Sequence, residues 1–171
     1  MPYLFAAAPR RLLLAGLLAS AALLPTACQK DEPAVAADFS ATDESLIKAY
    51  VSTNGLTTAQ RQTSGLYYVP VLSNPTGTRA EAKKTVSVLY TGRLLSGAVF
   101  DASSLRGNVP FTFALGTGQV IAGWDEGIAL MRKGEKAKLL VPSALGYKGQ
   151  TRGSIPANSV LVFDVEVTDV Q

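Results

Sequence analysis

The chain has no histidine. Ser/His/Asp and Cys/His triads, imidazole acid–base catalysis and histidine-bound metals are therefore all closed to it. What remains is a small set of residues in settings unusual for their type. Asp101 directly follows Val99-Phe100 in a strand-like run, where a carboxylate is either a solvated edge residue or a functional one. Tyr147 stands in a flexible connection, where recognition groups concentrate. The single tryptophan, Trp124, lies within residues 118–131, flanked by Gly123 and Gly127, with Ile121, Trp124, Ile128 and Met131 at offsets of 3, 4 and 3. Those offsets describe one helical face, and such a face must be buried. Asp125 and Glu126 fall in its first turn, where the helix dipole favours negative charge, and Gly134 after Arg132-Lys133 stops it. Nothing in this set calls for a metal or a cofactor, and none is expected.

The elements that must position these residues follow from pattern. Residues 65–72 are rich in aromatic and branched side chains, but Pro70 cannot donate to a ladder and marks an edge strand. Residues 86–90, 98–101, 111–115, 136–141 and 160–167 read as further strands, with Leu161, Phe163, Val165 and Val167 on one face of the last. Hairpin-spaced strands around one helix give an antiparallel α+β domain over residues 65–171. Ahead of it, residues 42–64 form a helical extension, with Leu46, Ile47, Tyr50 and Val51 on one face and Asp43 and Glu44 in the first turn. A helix this short is marginal alone, so it is expected to dock on the domain or on a partner. As an arm it is too short to favour a dimer, which leaves a monomer as the expectation.

Residues 1–27 carry the three parts of an export signal: Arg10-Arg11, an apolar run of 13 residues at 12–24, and small residues before Cys28. A spanning helix needs about 20 residues, so the run is too short for an anchor of its own. Leu24-Pro25-Thr26-Ala27-Cys28 resembles the lipobox of bacterial lipoproteins, which implies cleavage before Cys28 and lipid on its thiol. A lone thiol in an oxidising compartment fits that reading, since it has no partner for a disulfide. Gln29-Lys30-Asp31-Glu32 resembles a short acidic signal for display on the outer membrane's outer face, and reads equally as solvated linker. Residues 28–41 form a flexible tether. The expected location is the bacterial cell envelope, lipid-anchored to the outer membrane on its periplasmic side or at the cell surface. Removing Arg10 and Arg11 from the 16 basic residues leaves 14 against 13 acidic. The largest basic clusters, Lys83-Lys84 and Arg132-Lys133, are only pairs, so nucleic acid is not an expected partner.

Six stretches in register carry a resemblance. They are Val86-Ser87-Val88-Leu89-Tyr90-Thr91-Gly92, Gly97-Ala98-Val99-Phe100-Asp101, Pro110-Phe111-Thr112-Phe113, Val120-Ile121-Ala122-Gly123-Trp124-Asp125-Glu126-Gly127, Gly134-Glu135-Lys136, and residues 155–163 from Ile155-Pro156 to Val162-Phe163. Together they resemble the FKBP-type peptidyl-prolyl cis/trans isomerases over about residues 65–170. The resemblance implies a curled antiparallel sheet wrapped around one short helix, with an apolar pocket between them. It implies substrates that are proline-containing unfolded or exported polypeptides, with tacrolimus- or rapamycin-like macrolides as possible ligands. A non-catalytic prolyl-peptide binder or holdase on the same fold is the alternative.

Carried over position by position, the resemblance makes Trp124 the pocket floor and Tyr90, Phe100, Val120, Ile121 and Phe163 its walls. Phe111 falls at the rim and Gln119 beside Val120. The Ile121 N–H matches a donor to a substrate carbonyl, Asp101 the pocket carboxylate tied to Tyr90, and Tyr147 a lid hydroxyl. Two departures stand out. Tyr147-Lys148-Gly149 replaces the family's Tyr-Gly, so a positive φ after the tyrosine would either strain Lys148 or pass to Gly149 and shift the hydroxyl. The segment 103–109 is one residue longer than in the shortest members.

Overall fold

The structure, a computed structural model, describes residues 38–171. The expected signal segment, Cys28 and most of the expected tether lie outside the described residues. Helix α1 spans Ser40–Thr53, and strands β1 to β5 span Gln60–Arg61, Tyr67–Leu72, Thr85–Leu94, Val99–Ala102 and Phe111–Ala114. Helix α2 spans Ala122–Ala129, and β6 and β7 span Lys136–Val141 and Leu161–Val170. All strand pairs are antiparallel, in the order β1-β2-β6-β7-β3-β4, with β5 sharing β3's outer edge with β4. The expected antiparallel α+β sheet is the one observed.

The sheet is built around β3 and β7, the two longest strands, which pair from Val86–Val170 to Leu94–Leu161. The sequence pattern takes β3 only as far as Tyr90, and a glycine such as Gly92 ordinarily weakens a strand interior. Gly92 is nonetheless inside it, and a β-carbon there would lie 2.5 Å from the Phe100 ring and 2.9 Å from the Phe163 ring. The absent side chain is the space those two rings occupy. Pro70 lies beyond Tyr67 and Tyr68, the residues of β2 that pair with the two-residue β1, and the ladder to β6 shifts register after it. The sequence pattern missed β1, which is too short and polar to show a period.

Helix α2 lies on one face of this sheet. Trp124, Ile128 and Met131 join Val88, Phe113, Leu139, Val141, Leu161, Phe163, Val165 and Val167 in the main core. Glycine sets the distance: a β-carbon on Gly123 would meet Val141 Cγ1 at 2.5 Å, and one on Gly127 would meet Leu139 Cδ1 at 2.8 Å. The opposite face is covered at one end by α1. There Ile47, fully buried, packs with Tyr67, Leu140, Val160 and Val162. This explains why β6 departs from strict alternation: Leu139, Leu140 and Val141 are all buried because both faces are covered there. The extension therefore docks on its own domain. Two details of the pattern are corrected. The helix starts at Ser40, two residues earlier than expected, and Leu46 is not on its buried face but 44% exposed.

After β6, a 3₁₀ turn at Ser143–Leu145 leads to Tyr147. Lys148 follows at φ +55°, while Gly149 is not among the positive-φ residues. Of the two alternatives raised by the sequence, the lysine keeps the left-handed conformation. The turn is held by the Lys148 N–H donating to Ser143 O (2.9 Å) and the Asn158 N–H donating to Lys148 O (2.7 Å).

Two expectations follow. Gly123→Ala destabilises the fold by about 1–3 kcal/mol in urea unfolding, because Val141 is stiff and fully buried, and the overpacking outweighs the alanine's higher helix propensity. Exchanging the pair, Lys148→Gly with Gly149→Lys, stabilises by up to about 1 kcal/mol, since left-handed φ costs a non-glycine residue about that much. A loss of stability in the exchanged protein would show that the Lys148 side chain holds the turn by some other means.

Candidate active site

The pocket opens between α2, the near halves of β3, β4 and β7, and the loops after β4 and β6. It is a cleft of about 790 Å³ whose lining includes Tyr90, Phe100, Asp101, Phe111, Gln119, Val120, Ile121, Trp124, Tyr147 and Phe163. All ten residues singled out in the sequence are thus brought to one cavity, from seven separate stretches of chain. Arg106, Gly118 and Arg152 complete the lining.

Trp124 is held by rings. Tyr90 meets it edge-on at 4.9 Å and Phe163 at 5.3 Å, with Phe113 and Phe111 at 6.0 and 6.2 Å. Phe100 meets Phe163 edge-on at 5.6 Å. Edge-to-face pairs of this kind contribute about 0.5–1.5 kcal/mol each beyond area burial. Only 5% of the Trp124 surface is exposed, and its Nε1 donates to no acceptor. The indole is thus fixed by its neighbours and not by a hydrogen bond, and it presents an apolar surface to the cleft.

The polar groups are few and placed at the mouth. The Tyr90 hydroxyl donates to Asp101 Oδ2 at 2.5 Å. Arg106 closes the set: its Nη1 lies 3.0 Å from Asp101 Oδ1, its Nη2 donates to the Tyr90 hydroxyl oxygen, and its guanidinium carbon lies 5.7 Å from the Tyr90 ring centroid. Burial disfavours the Asp101 anion, but hydrogen bonds from Tyr90 and Arg106 and the charge of Arg106 outweigh it and hold the carboxyl below its usual range. Burial first, then the hydrogen bond to Asp101 and its charge, push the Tyr90 hydroxyl up to about 12. At neutral pH the set is a carboxylate, a guanidinium and a protonated phenol, close to electrically neutral.

Sequence reasoning missed Arg106. It lies in the 3₁₀ turn Ser103–Arg106, inside the segment noted only for its length. The available signal was its place five residues after Asp101 on the return from the same strand. Arg152 was missed too. It is exposed at the tip of a tight turn in which the Arg152 and Ile155 N–H groups each donate to the other's carbonyl (2.9 Å both ways).

The loop into α2 supplies a free donor. Ile121 is the residue before the first turn, at φ −62° and ψ 148°, and its carbonyl accepts from the N–H of Trp124 and Asp125. Its own N–H donates to no group among the described residues, as expected at a helix N-terminus. The approach to it is fixed by two side chains. Asp125 accepts from the Gly116 N–H (2.8 Å) and the Gly118 N–H (3.1 Å), and Gln119 Oε1 accepts from the Ala114 N–H (3.1 Å). Gln119 lines the cleft while its side-chain oxygen ties the loop to β5. The Tyr147 hydroxyl likewise has no hydrogen-bond partner among the described residues. The arrangement offers an apolar floor, two free donors and one neutral polar cluster, which suits holding a peptide group and its apolar neighbour without covalent chemistry.

Comparison with known proteins bears on the same residues. The 50% identical FKBP53 of Arabidopsis thaliana, a peptidyl-prolyl cis-trans isomerase by name, aligns over 103 residues, 58% of this chain and 21% of that protein. The FKBP-type peptidyl-prolyl cis-trans isomerase FkpA of Aeromonas hydrophila is 49% identical over 108 residues, 63% of this chain and 39% of that one. FK506-binding protein 2 of Dictyostelium discoideum is 51% identical over 86 residues, 50% of this chain and 64% of that one. The chain thus spans less than two thirds of each of these relatives. Among solved structures, FkpA from Escherichia coli superposes with a TM-score of 0.67 at 36% identity, over 77% of this chain and 61% of that one. AtFKBP13 superposes with a TM-score of 0.62 at 34% identity, over 66% of this chain and 98% of that one. The model of the family described as FKBP-type peptidyl-prolyl cis-trans isomerase matches residues 77–168, more than half of the chain and every residue that lines the cleft. Sequence, sheet order and cleft agree on one assignment, and the chain belongs to the FKBP-type peptidyl-prolyl cis-trans isomerase family.

Proposed function

We propose that the chain catalyses cis/trans isomerisation of X-Pro bonds in exported or envelope polypeptides, as a monomer lipid-anchored through Cys28. The observation that carries the catalytic part is the free Ile121 N–H at the edge of a cleft floored by an indole and lined by aromatic rings. The X-Pro bond turns over tens of seconds in water against a barrier of about 20 kcal/mol, slowly enough to limit folding. Resonance in the planar amide puts negative charge on its oxygen; the twisted form loses that resonance and is less dipolar. A water-poor aromatic cleft therefore favours the twisted form relative to bulk solvent. In this reading the prolyl ring rests on Trp124 between Phe100 and Phe163. The Ile121 N–H and the Tyr147 hydroxyl donate to flanking carbonyls, holding the chain on both sides while the bond turns. Asp101, neutralised by Arg106 and Tyr90, stands beside the amide without drawing water into the cleft.

A second reading, a holdase on the same cleft, is favoured by the apolar side chains on the loop that carries Arg106: Leu105 is 72% exposed and Val109 65%. Such a rim grips unfolded chain whether or not the bond turns. The anchoring part rests on the lipobox-like 24–28, which lies outside the described residues. In this reading the protein sits on the outer membrane, on its periplasmic side or at the cell surface. The monomer reading is supported by α1, whose apolar face is covered by its own sheet.

A prolyl-peptide isomerisation assay separates catalyst from holdase. Trp124→Leu is expected to lower kcat/KM about 10- to 100-fold, the equivalent of losing ~1.4–2.8 kcal/mol of transition-state stabilisation. Asp101→Ala is expected to lower it by a smaller factor, because Arg106 is then left without its carboxylate. Equal rates for the parent protein and both variants would refute catalysis.

The same assay carries a pH expectation. A carboxyl held below its usual range contributes stability above its unfolded pKa of about 3.9 and loses it as pH falls through the lower folded value. Tyr90 keeps its proton until pH approaches its raised value. Neither group titrates near neutrality, so kcat/KM is expected to be flat between about pH 5 and 9. A bell-shaped profile centred in that range would point to a titrating catalytic group that the cleft as described does not contain.

A further inference from the structure

Helix α1 lies at residues 40–53, outside the stretch that matches the family, yet one of its carboxylates contacts the turn that leads to Tyr147 in the pocket wall. Asp43 is 1% exposed. Its Oδ2 accepts from both the Ser143 N–H (2.8 Å) and the Ser143 hydroxyl (2.6 Å), across 100 residues of sequence. No basic side chain forms an ion pair with it among the described residues. Burying a carboxylate is unfavourable unless it is well hydrogen-bonded, and docking α1 does not require one, since Ile47 already seats the helix in an apolar patch. A buried polar contact of this kind is most useful where it selects one arrangement over others.

What it selects is the turn that carries Tyr147. The Ser143 carbonyl accepts from the Gly146 N–H (3.0 Å) and the Lys148 N–H (2.9 Å), and the Lys148 carbonyl accepts from the Asn158 N–H (2.7 Å). Tyr147 stands between those two anchors and packs against the main core at the pocket wall. Removing the carboxylate leaves the N–H and the hydroxyl of buried Ser143 without an acceptor, at the residue whose carbonyl holds the turn.

We infer that Asp43 is a positioning residue for the pocket: through Ser143, the N-terminal helix fixes where Tyr147 presents its hydroxyl. The structural part stands on the contacts alone, and its effect on catalysis rests on the isomerase reading. The extension is then a working part of the pocket and not only a spacer ahead of the domain.

The test compares Asp43→Ala, Asp43→Asn and Val167→Ala in the full chain, under conditions where all remain folded. Val167→Ala serves as a core variant of reduced stability remote from the turn. Native-state hydrogen exchange is read at the Lys148 and Asn158 amides, with KM and kcat measured on a prolyl peptide. Asp43→Ala is expected to raise exchange at both amides at least tenfold more than at Tyr90 in β3, and to raise KM about fivefold or more, the scale of loss that follows small misplacement of a binding group. Asp43→Asn keeps an acceptor oxygen and is expected to restore both to within about twofold. Val167→Ala is expected to leave KM unchanged. Unchanged relative exchange at Lys148 and Asn158 in Asp43→Ala would overturn the inference, as would a KM rise matched by Val167→Ala. If the parent protein proves inactive, the isomerase reading fails while the exchange measurement still decides the positioning role.

Discussion

The pocket depends on how closely α2 can lie on β6. Gly123 and Gly127 leave no β-carbons between the helix and Val141 and Leu139, so the helix axis sits low on the sheet and Trp124 drops to the level of the strand side chains. From there the indole reaches Tyr90 on β3 and Phe163 on β7, two rings carried by adjacent hydrogen-bonded strands. Gly92 contributes in the same way from the sheet side, by leaving room for Phe100 and Phe163 over the strand. Three missing side chains thus create both the packing that fixes the floor and the hollow above it. A larger residue at any of them would have to be accommodated by a core already close-packed.

The electrostatics follow from that geometry. An apolar cleft penalises any net charge left inside it, and the mouth holds a carboxylate. The loop after β4 answers this by returning Arg106 onto Asp101, with the Tyr90 hydroxyl shared between them. The three groups satisfy one another at a partly exposed mouth, so the carboxylate does not face the cleft unpaired. Tyr90 serves twice: its ring supports Trp124 and its hydroxyl anchors Asp101. The charged cluster and the aromatic floor are consequently one unit, and the strand that carries Tyr90 is the one that pairs with β4, β5 and β7 at once.

Most of this was legible in the sequence because it rests on periodic patterns. The spacing of Ile121, Trp124, Ile128 and Met131 gave the helix, and the alternation of Leu161, Phe163, Val165 and Val167 gave the strand face beneath it. The residues that escaped are those whose role depends on long-range placement. Arg106 is an ordinary exposed arginine until β4 and the turn after it bring it back to Asp101. Asp43 read only as an acid in the first turn of a helix, because nothing local says that Ser143 lies within reach. Leu46 and Ile47 are neighbours of equal hydrophobicity, and only the direction from which the sheet meets α1 decides that Ile47 is buried. Pattern reports the face of an element and not what arrives on it.

The polar groups that lack partners are the more telling feature. Buried or half-buried donors are nearly always paired, and leaving one unpaired costs about 1–3 kcal/mol. Of three donors around the cleft without a partner among the described residues, only the Trp124 Nε1 is buried; the Ile121 N–H and the Tyr147 hydroxyl belong to half-buried residues of the lining. Trp124 Nε1 is set among aromatic rings, whose faces give it a weak substitute at best. The other two lie at the pocket lining, held in place by neighbours that are themselves fully engaged: Asp125 and Gln119 on the loop before Ile121, Ser143 and Asn158 on either side of Tyr147. A sequence selected for stability alone would have filled the hollow or given these donors acceptors from its own side chains. Rigid support around unsatisfied donors is instead what a site needs when the acceptor is to come from outside, because the guest then gains hydrogen bonds that the empty protein had already been shaped to make.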